Sequence, residues 1–203
     1  MITVIDYGMG NLASILNLCR YLGIAARVSG KPEEIATAAK LLLPGVGAFG
    51  AGMRNLHQRE LVDPVRARVR EGIPLLGICL GMQLLSRGSE ESSGDGLDLI
   101  SASTVRFSTP PDQPSLRVPH MGWACVSPGT DARLFTRLPA HPRFYFVHSY
   151  HVVCDSPADI AAHAEHGRSF VAAIQHQNIF GTQFHPEKSH RFGMQLMRNF
   201  ARL

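Results

Sequence analysis

The stretch Ile73 to Leu85, IPLLGICLGMQLL, constrains the fold of this chain more than any other. It opens with Pro74 and an apolar run, Leu75-Leu76-Gly77-Ile78, spelled like a short strand buried on both faces. Such strands belong to parallel sheets covered by helices. Cys79 follows, and Leu80-Gly81-Met82-Gln83-Leu84-Leu85 takes up helical spacing. A strand that enters a helix through one residue must turn sharply. Glycines two places before and two after the cysteine leave room where a Cβ would strike the neighbouring strand or helix. The helix N-terminus beneath the cysteine offers free N–H groups and a positive dipole end, both of which favour thiolate over thiol. G-I-C-L-G therefore reads as a nucleophile elbow. A buried core cysteine is the competing reading, since free cysteine is among the most buried residue types.

The flanking sequence supplies the neighbours such a strand needs. Ile2 to Ile5 predicts a strand ended by Asp6-Tyr7-Gly8-Met9-Gly10-Asn11, then a helix from about Leu12 to Leu22 with Asn11 as N-cap and Gly23 as stop. Ala25 to Ser29 predicts a second strand and Pro32-Glu33-Glu34 the start of a short helix. Lys40 to Leu43 predicts a third strand, stopped by Pro44-Gly45-Val46-Gly47. Helical spacing returns over Met53 to Leu56 and Leu61 to Arg70. Strand and helix alternating at these intervals give an α/β parallel sheet with helices on both faces.

After about Gly88 the alternation ends. Ser89 to Asp95 is polar and Pro110 to Pro119 is proline-rich, so loops or hairpins are expected there. From Arg143 on, strands crowd together at Phe144–Val147, His151–Cys154, Ile160–Ala164, Phe170–His176 and Ile179–Phe184. They predict an antiparallel extension of the sheet. A last helix, Phe192 to Leu203, sets Met194, Leu196, Met197 and Phe200 along one side. No repeat or linker divides the chain, so residues 1–203 read as a single domain.

Composition narrows the function classes. At 45% hydrophobic and 18% charged, the 203 residues suit a globular protein with a sizeable core. No apolar run reaches the roughly 18 residues of a membrane span. The first residues, MITVIDYG, lack the basic n-region of a signal peptide. Cys19, Cys79, Cys125 and Cys154 lie far apart with no CxxC, a pattern that suits a reducing cytoplasm. The net charge of +4 comes from scattered arginines. Arg66, Arg68 and Arg70 alternate within one helix and read as a solvated face, so no nucleic-acid or membrane partner is expected.

Three constellations compete for the chemistry. Gly8-Met9-Gly10-Asn11-Leu12-Ala13 has the form G-x-G-x-x-A of a dinucleotide fingerprint, but Arg27-Val28-Ser29-Gly30 ends the second strand without the acid that form requires. Gly45-Val46-Gly47-Ala48-Phe49-Gly50 lacks the G-K-[ST] ending of a phosphate loop. It suits Cys79 better, because loops at the carboxyl ends of neighbouring parallel strands converge, and glycines let backbone N–H groups turn toward a developing oxyanion. A plain strand-to-helix turn is the alternative. Near the C-terminus, Gln183-Phe184-His185-Pro186-Glu187 places a histidine and a glutamate two apart, on one side if the backbone is extended. That spacing suits a base held by a carboxylate, the remainder of a Cys-His-Glu arrangement. His57, His141, His163, His166 and His190 read as surface residues. His148-x-x-His151 and His163-x-x-His166 lack cysteine or acidic partners at metal spacing, so no metal and no cofactor is expected.

P-G-V-G, G-I-C-L-G-M-Q and Q-F-H-P-E, in that order, resemble the signature of the class I (triad) glutamine amidotransferases. More narrowly, D-Y-G-M-G-N-L (Asp6–Leu12), P-H-M-G-W (Pro119–Trp123), F-V-H-S-Y (Phe146–Tyr150) and H-P-E-K-S (His185–Ser189) are similar to the glutaminase subunit of imidazole glycerol phosphate synthase. The match spans nearly the whole chain. It implies a three-layer, flavodoxin-like fold, its sheet mostly parallel with an antiparallel extension. By the resemblance, Cys79 attacks the side-chain amide of glutamine, His185 is the base and Glu187 orients it. Backbone N–H groups of Gly45, Val46, Gly47 and Leu80 hold the oxyanion, and Gln83 with the backbone of His148, Ser149 and Tyr150 holds the glutamine head. Ammonia passes to a (β/α)8-barrel cyclase subunit in a cytoplasmic heterodimer of histidine biosynthesis, with Asn11, Met121, Trp123 and Lys188 on the partner face. One position departs: Ala124 stands where that subfamily usually has asparagine. The departure keeps open a related glutaminase feeding another synthase, such as an amidino-sugar system. A catalytically silent partner-binding scaffold and a nucleotide-binding module are the readings from other classes.

Overall fold

The computed structural model describes residues 1–108 and 116–203. In chain order the first half is β1 (Ile2–Ile5), α1 (Leu12–Tyr21), β2 (Ala26–Ser29), α2 (Pro32–Ile35), β3 (Leu41–Gly45), α3 (Phe49–Gln58), α4 (Val62–Arg70), β4 (Leu75–Cys79) and α5 (Leu80–Leu84). The second half is nearly all strand. It comprises β5 (Gly88–Ser89), β6 (Ser92–Asp95), β7 (Ala102–Arg106), β8 (His120–Pro128), β9 (Arg143–His148), β10 (Tyr150–Cys154), β11 (Ile160–His166), β12 (Arg168–His176) and β13 (Ile179–Thr182), closed by α6 (His190–Arg202).

The main sheet has nine strands in the order β2-β1-β3-β4-β13-β12-β11-β8-β9. Its first five are mutually parallel, in the 2-1-3-4-5 order of flavodoxin-like sheets, and the other four add on antiparallel. Strand alternation sorts the core into two layers. Leu42, Leu76 and Ile78 face one side with Ile15 of α1 and Phe200 of α6, while Leu41, Leu43 and Leu75 face the other with Leu56 of α3 and Val65 of α4. The expected three-layer architecture is present.

Several expectations need correction. β3 does not stop at Pro44 but continues through Gly45, which pairs with Cys79. The last β1–β3 pair is Val4–Leu42, and the Pro44 carbonyl accepts a 2.7 Å hydrogen bond from the Tyr7 hydroxyl, just beyond β1. In an extended strand the N and O of one residue point the same way, so the missing proline N–H falls where β1 has already ended. β10 does not extend the main sheet. It belongs to a second, four-stranded sheet of order β10-β7-β5-β6, because β7 supplies a full antiparallel partner from Tyr150–Arg106 to Cys154–Ala102. Arg66 and Arg68 are not a solvated face either. Arg66 donates to the Leu97 carbonyl and Arg68 to the Ala38 carbonyl, tying α4 to two loops. On α6, Leu196, Met197 and Phe200 are buried as expected while Met194 is half-buried, and Gly193 and Asn199 take the rest of the inner face. The proline-rich reading of 110–119 falls mostly outside the described residues.

Candidate active site

The cysteine, the histidine–glutamate pair and the glycine loop converge at the carboxyl edge of the parallel strands. Cys79 ends β4 with φ +54° and ψ −111°, a backbone region that L-residues seldom occupy. Holding it costs on the order of 1–3 kcal/mol. The flanking glycines make the turn possible. A Cβ on Gly77 would lie 2.7 Å from the backbone of Gly81 and Met82, and one on Gly81 would lie 1.9 Å from the Leu43 carbonyl oxygen. A Cβ on Gly45 would meet the Tyr7 hydroxyl at 2.6 Å and Leu80 Cβ at 2.7 Å. These contacts seat α5 directly on β3 and β4, with the thiol at the helix start.

His185 arrives from the other side. It pairs with Tyr145 of β9 through a bridge, donating its N–H to the Tyr145 carbonyl at 2.9 Å. Ser189 pins the same segment: its hydroxyl donates to the His185 carbonyl at 2.6 Å and accepts from the Tyr145 N–H at 3.0 Å. His185 Nδ1 and Glu187 Oε1 are 2.7 Å apart, with side chains 1% and 3% exposed. The two residues do meet, though not across extended backbone. Pro186–Lys188 form a 3₁₀ turn, which folds Glu187 back onto the ring. Burial opposes charge on His185, but hydrogen bonding and charge from Cys79 and Glu187 outweigh it and lift its pKa to about 9. His185 Nε2 is thus within the influence of the Cys79 sulfur, yet it is buried without a hydrogen bond of standard geometry. Reacting pairs are often this loose before substrate arrives.

A cleft of about 160 Å³ opens onto the thiol, lined by Val46, Gly47, Cys79, Leu80, Gln83, His148, Ser149 and Tyr150, together with Glu91 and Val147. Eight of these ten were anticipated from sequence. Ser149 is the joint between β9 and β10, where the chain passes from one sheet to the other. Part of this wall is already committed. The Ser149 carbonyl accepts from Phe107 N–H, and the Tyr150 carbonyl accepts from Gln83 Nε2 at 3.0 Å and bonds His148 Nδ1 at 2.8 Å. Oε1 of Gln83 remains for a ligand. Burial drives the His148 pKa down to about 3 and that of His120, 3.1 Å away, to about 4, so both rings are neutral at pH 7. A larger cleft of about 380 Å³ lies where Met1 and Ile2 meet Arg198 and Arg202, at the opposite edge of the sheet.

Sequence reasoning missed three polar groups here. Gln183, fully buried, donates Nε2 toward Cys79 Sγ at 3.7 Å, and the Val147 carbonyl lies 3.9 Å from the same sulfur. Glu91 accepts from the N–H of Phe49, the first residue of α3, at 2.7 Å. Only Gln183 had a signal, its place in Q-F-H-P-E. His166 was read as surface, but it is half-buried and stacks on His120 at 4.3 Å. The glycine loop after β1 holds its tight turn with Gly8 at φ +83° and Gly10 at φ +94°, the latter against Pro44. Among the described residues no cluster of three or more ligating side chains could hold a metal, and no helix is long and apolar enough to cross a membrane.

Of the four residues assigned to the partner face, Met121 and Trp123 project from the same side of β8, 62% and 39% exposed. The Trp123 ring lies parallel to His190 at 5.4 Å and edge-on to Tyr145 at 6.2 Å. Lys188 Nζ sits 5.7 Å over the Tyr145 ring. These three form one exposed aromatic and basic patch beside His185. Asn11 is also exposed, and its side chain caps α1 by accepting from Ser14 N–H at 3.1 Å.

A thiol on a strained strand-to-helix turn and a buried imidazole–carboxylate pair thus stand together at the carboxyl edge of a flavodoxin-like sheet. Comparison with known proteins gives the family. The class-I glutamine amidotransferase model matches residues 3–203, and the chain belongs to that family. It is 48% identical to "Imidazole glycerol phosphate synthase subunit HisH 2" of Pseudomonas aeruginosa, covering 100% of both chains. It is 47% identical to the protein of the same description from Methanococcus maripaludis, covering 100% of this chain and 99% of that one. Among solved structures, one described as a glutamine amidotransferase superposes with TM-score 0.77 at 19% identity, covering 100% of this chain and 99% of the other. PurLQS from Thermotoga maritima gives 0.76 at 16% identity, covering 99% and 97%. At those identities the superpositions speak for the fold.

Proposed function

We propose that this chain, as one amidotransferase domain over residues 1–203, is the glutaminase subunit of a cytoplasmic imidazole glycerol phosphate synthase. The observation that carries the reading is the meeting of Cys79 with the buried His185–Glu187 pair at the carboxyl edge of the parallel strands, in a chain nearly half identical over its full length to proteins described as that subunit. His185 takes the Cys79 proton as the reaction begins, and its raised pKa holds that proton on the ring at pH 7. The thiolate adds to the side-chain carbonyl carbon of glutamine, and its oxyanion takes N–H groups of Gly45, Val46, Gly47 and Leu80. His185 gives its proton to the departing nitrogen as the C–N bond breaks, releasing ammonia and leaving a glutamyl thioester. His185 then takes a proton from water, the hydroxide adds to the thioester, and glutamate leaves as the thiolate is restored. Glu187 holds the ring in the tautomer that points Nε2 at sulfur throughout.

Ammonia released into water at pH 7 is mostly ammonium, a poor nucleophile, so direct transfer to a bound synthase is required. The partner is a (β/α)8-barrel cyclase that closes the imidazole ring, docked on the face that carries Asn11, Met121, Trp123 and Lys188. Support for that face is the exposed patch beside His185, which surface economy alone does not explain. Ala124, half-buried in β8 next to Trp123, keeps a second synthase partner as the competing reading. The test is production of imidazole glycerol phosphate from glutamine by this chain mixed with the cyclase subunit and its ribonucleotide substrate. Glutamate release stimulated by both supports the reading; release indifferent to that cyclase removes it and leaves a glutaminase for another synthase.

A further inference from the structure

The sulfur of Cys79 has a second neighbour that the triad chemistry does not use. Gln183 lies immediately after β13, wholly buried, with its backbone N–H donating to the Ala172 carbonyl at 2.9 Å. Its Nε2 is 3.7 Å from Cys79 Sγ, within hydrogen-bond range for sulfur, and its Oε1 is 3.1 Å from Gln83 Nε2. A side-chain amide can face either way, so the orientation needs a cause. The cause is a backbone carbonyl. The Tyr150 C=O, 3.0 Å from the Gln83 amide, can only accept, and it therefore turns Nε2 of Gln83 toward itself. That nitrogen's second hydrogen then requires an oxygen opposite, which fixes Oε1 of Gln183 toward Gln83 and leaves Nε2 of Gln183 facing sulfur. The polarity of the chain is set from Tyr150 to Cys79.

We propose that Gln183 is a catalytic residue of the glutaminase site: its amide N–H donates to the Cys79 sulfur and stabilises the thiolate, its direction fixed by the Tyr150–Gln83 relay. The proposal rests on the reading of Cys79 as the nucleophile. A donor is needed because the other close group is the Val147 carbonyl, 3.9 Å from sulfur, which stabilises the thiol form by accepting its proton. The titratable and charged groups facing the sulfur are His185 with Glu187 behind it, the Tyr7 phenol from beyond β1, and Glu91 at the cleft wall. Gln183→Leu alters none of these, since both side chains are neutral.

The experiment follows the rate of iodoacetamide modification of Cys79 against pH, by mass spectrometry of its peptide, in the full chain without glutamine. Gln183→Leu removes the donor. Gln183→Glu keeps the size and the acceptor for Gln83 but turns an acceptor and a negative charge toward sulfur, so with packing held its midpoint must rise beyond that of Gln183→Leu. The midpoint of the profile is expected to rise by about one pH unit in Gln183→Leu and further in Gln183→Glu. A folded variant with the wild-type midpoint, or a lower one, overturns the proposal. Neither variant need fold for the idea to be tested. In the unaltered protein the Nε2 proton resonances of Gln183 should move with the Cys79 titration and stay still in Cys79→Ala; resonances that ignore the titration overturn it equally. Failure of the glutaminase reading would instead show as absent glutamate release by the wild-type assembly, with these thiol measurements unaffected.

Discussion

Replacing Glu187 by glutamine keeps the volume of the side chain and removes its charge from a site where both partners are buried. His185 holds its proton to about pH 9 in the folded chain, against 6.5 for an unperturbed imidazole. A raised value stabilises the fold fully below pH 6.5, and that stabilisation is lost as pH climbs through 9. The gap corresponds to about 3 kcal/mol, supplied against burial by Cys79 and Glu187 together. Removing one of the two therefore costs on the order of 1–2 kcal/mol. Urea unfolding of wild type and Glu187→Gln at pH 6 and pH 10 reads the effect. The variant's deficit should be about 1–2 kcal/mol greater at pH 6 than at pH 10. The titration midpoint of the His185 ring by NMR should fall, and glutamate release should drop by about 10²–10⁴ through loss of the oriented tautomer. A deficit equal at both pH values, or a His185 midpoint that stays put, would refute the argument that the ion pair sets the proton.

Other perturbations test other parts of the site. Gly81→Ala puts a Cβ 1.9 Å from the Leu43 carbonyl oxygen, backbone that cannot move aside, and should lower stability by about 3 kcal/mol or more in chemical denaturation. Tyr7→Phe strips the Pro44 carbonyl of its buried hydrogen bond and should cost about 1–3 kcal/mol in the same assay; no change would mean another donor satisfies that carbonyl. Trp123→Ala should leave the unfolding midpoint within about 0.5 kcal/mol of wild type while weakening stimulation by the cyclase, and unchanged coupling removes Trp123 from the partner face.

How much of this could be read from the letters depends on the range of the interaction. β1, β3 and β4 are continuous apolar runs between glycine-rich turns, and a strand buried on both faces leaves that trace in any order of neighbours. The elbow was legible for the same local reason: Gly77 and Gly81 are spaced to clear a helix seated on its own strand. β8 was not recognised as a strand, since HMGWACVSP is exposed along one face, contains Gly122 at φ +125° and ends in proline. The sheet to which β10 belongs was equally hidden, because periodicity says that a segment is extended and not which distant segment pairs with it. His185 and Glu187 were brought together in the reading by two-residue spacing, although a 3₁₀ turn does the work. Ser189 and Gln183 were quoted within their motifs and given no role, because their partners, Tyr145 and Cys79, lie 44 and 104 residues away.

The most direct measurement compares glutamate release by the wild-type chain and Cys79→Ala, each assembled with the cyclase subunit and its ribonucleotide ligand. The account predicts release in the wild-type assembly, a glutamyl adduct on the Cys79 peptide after acid quench, and neither in the variant, with both chains folded and binding the cyclase alike. Glutamate release that survives Cys79→Ala would contradict it.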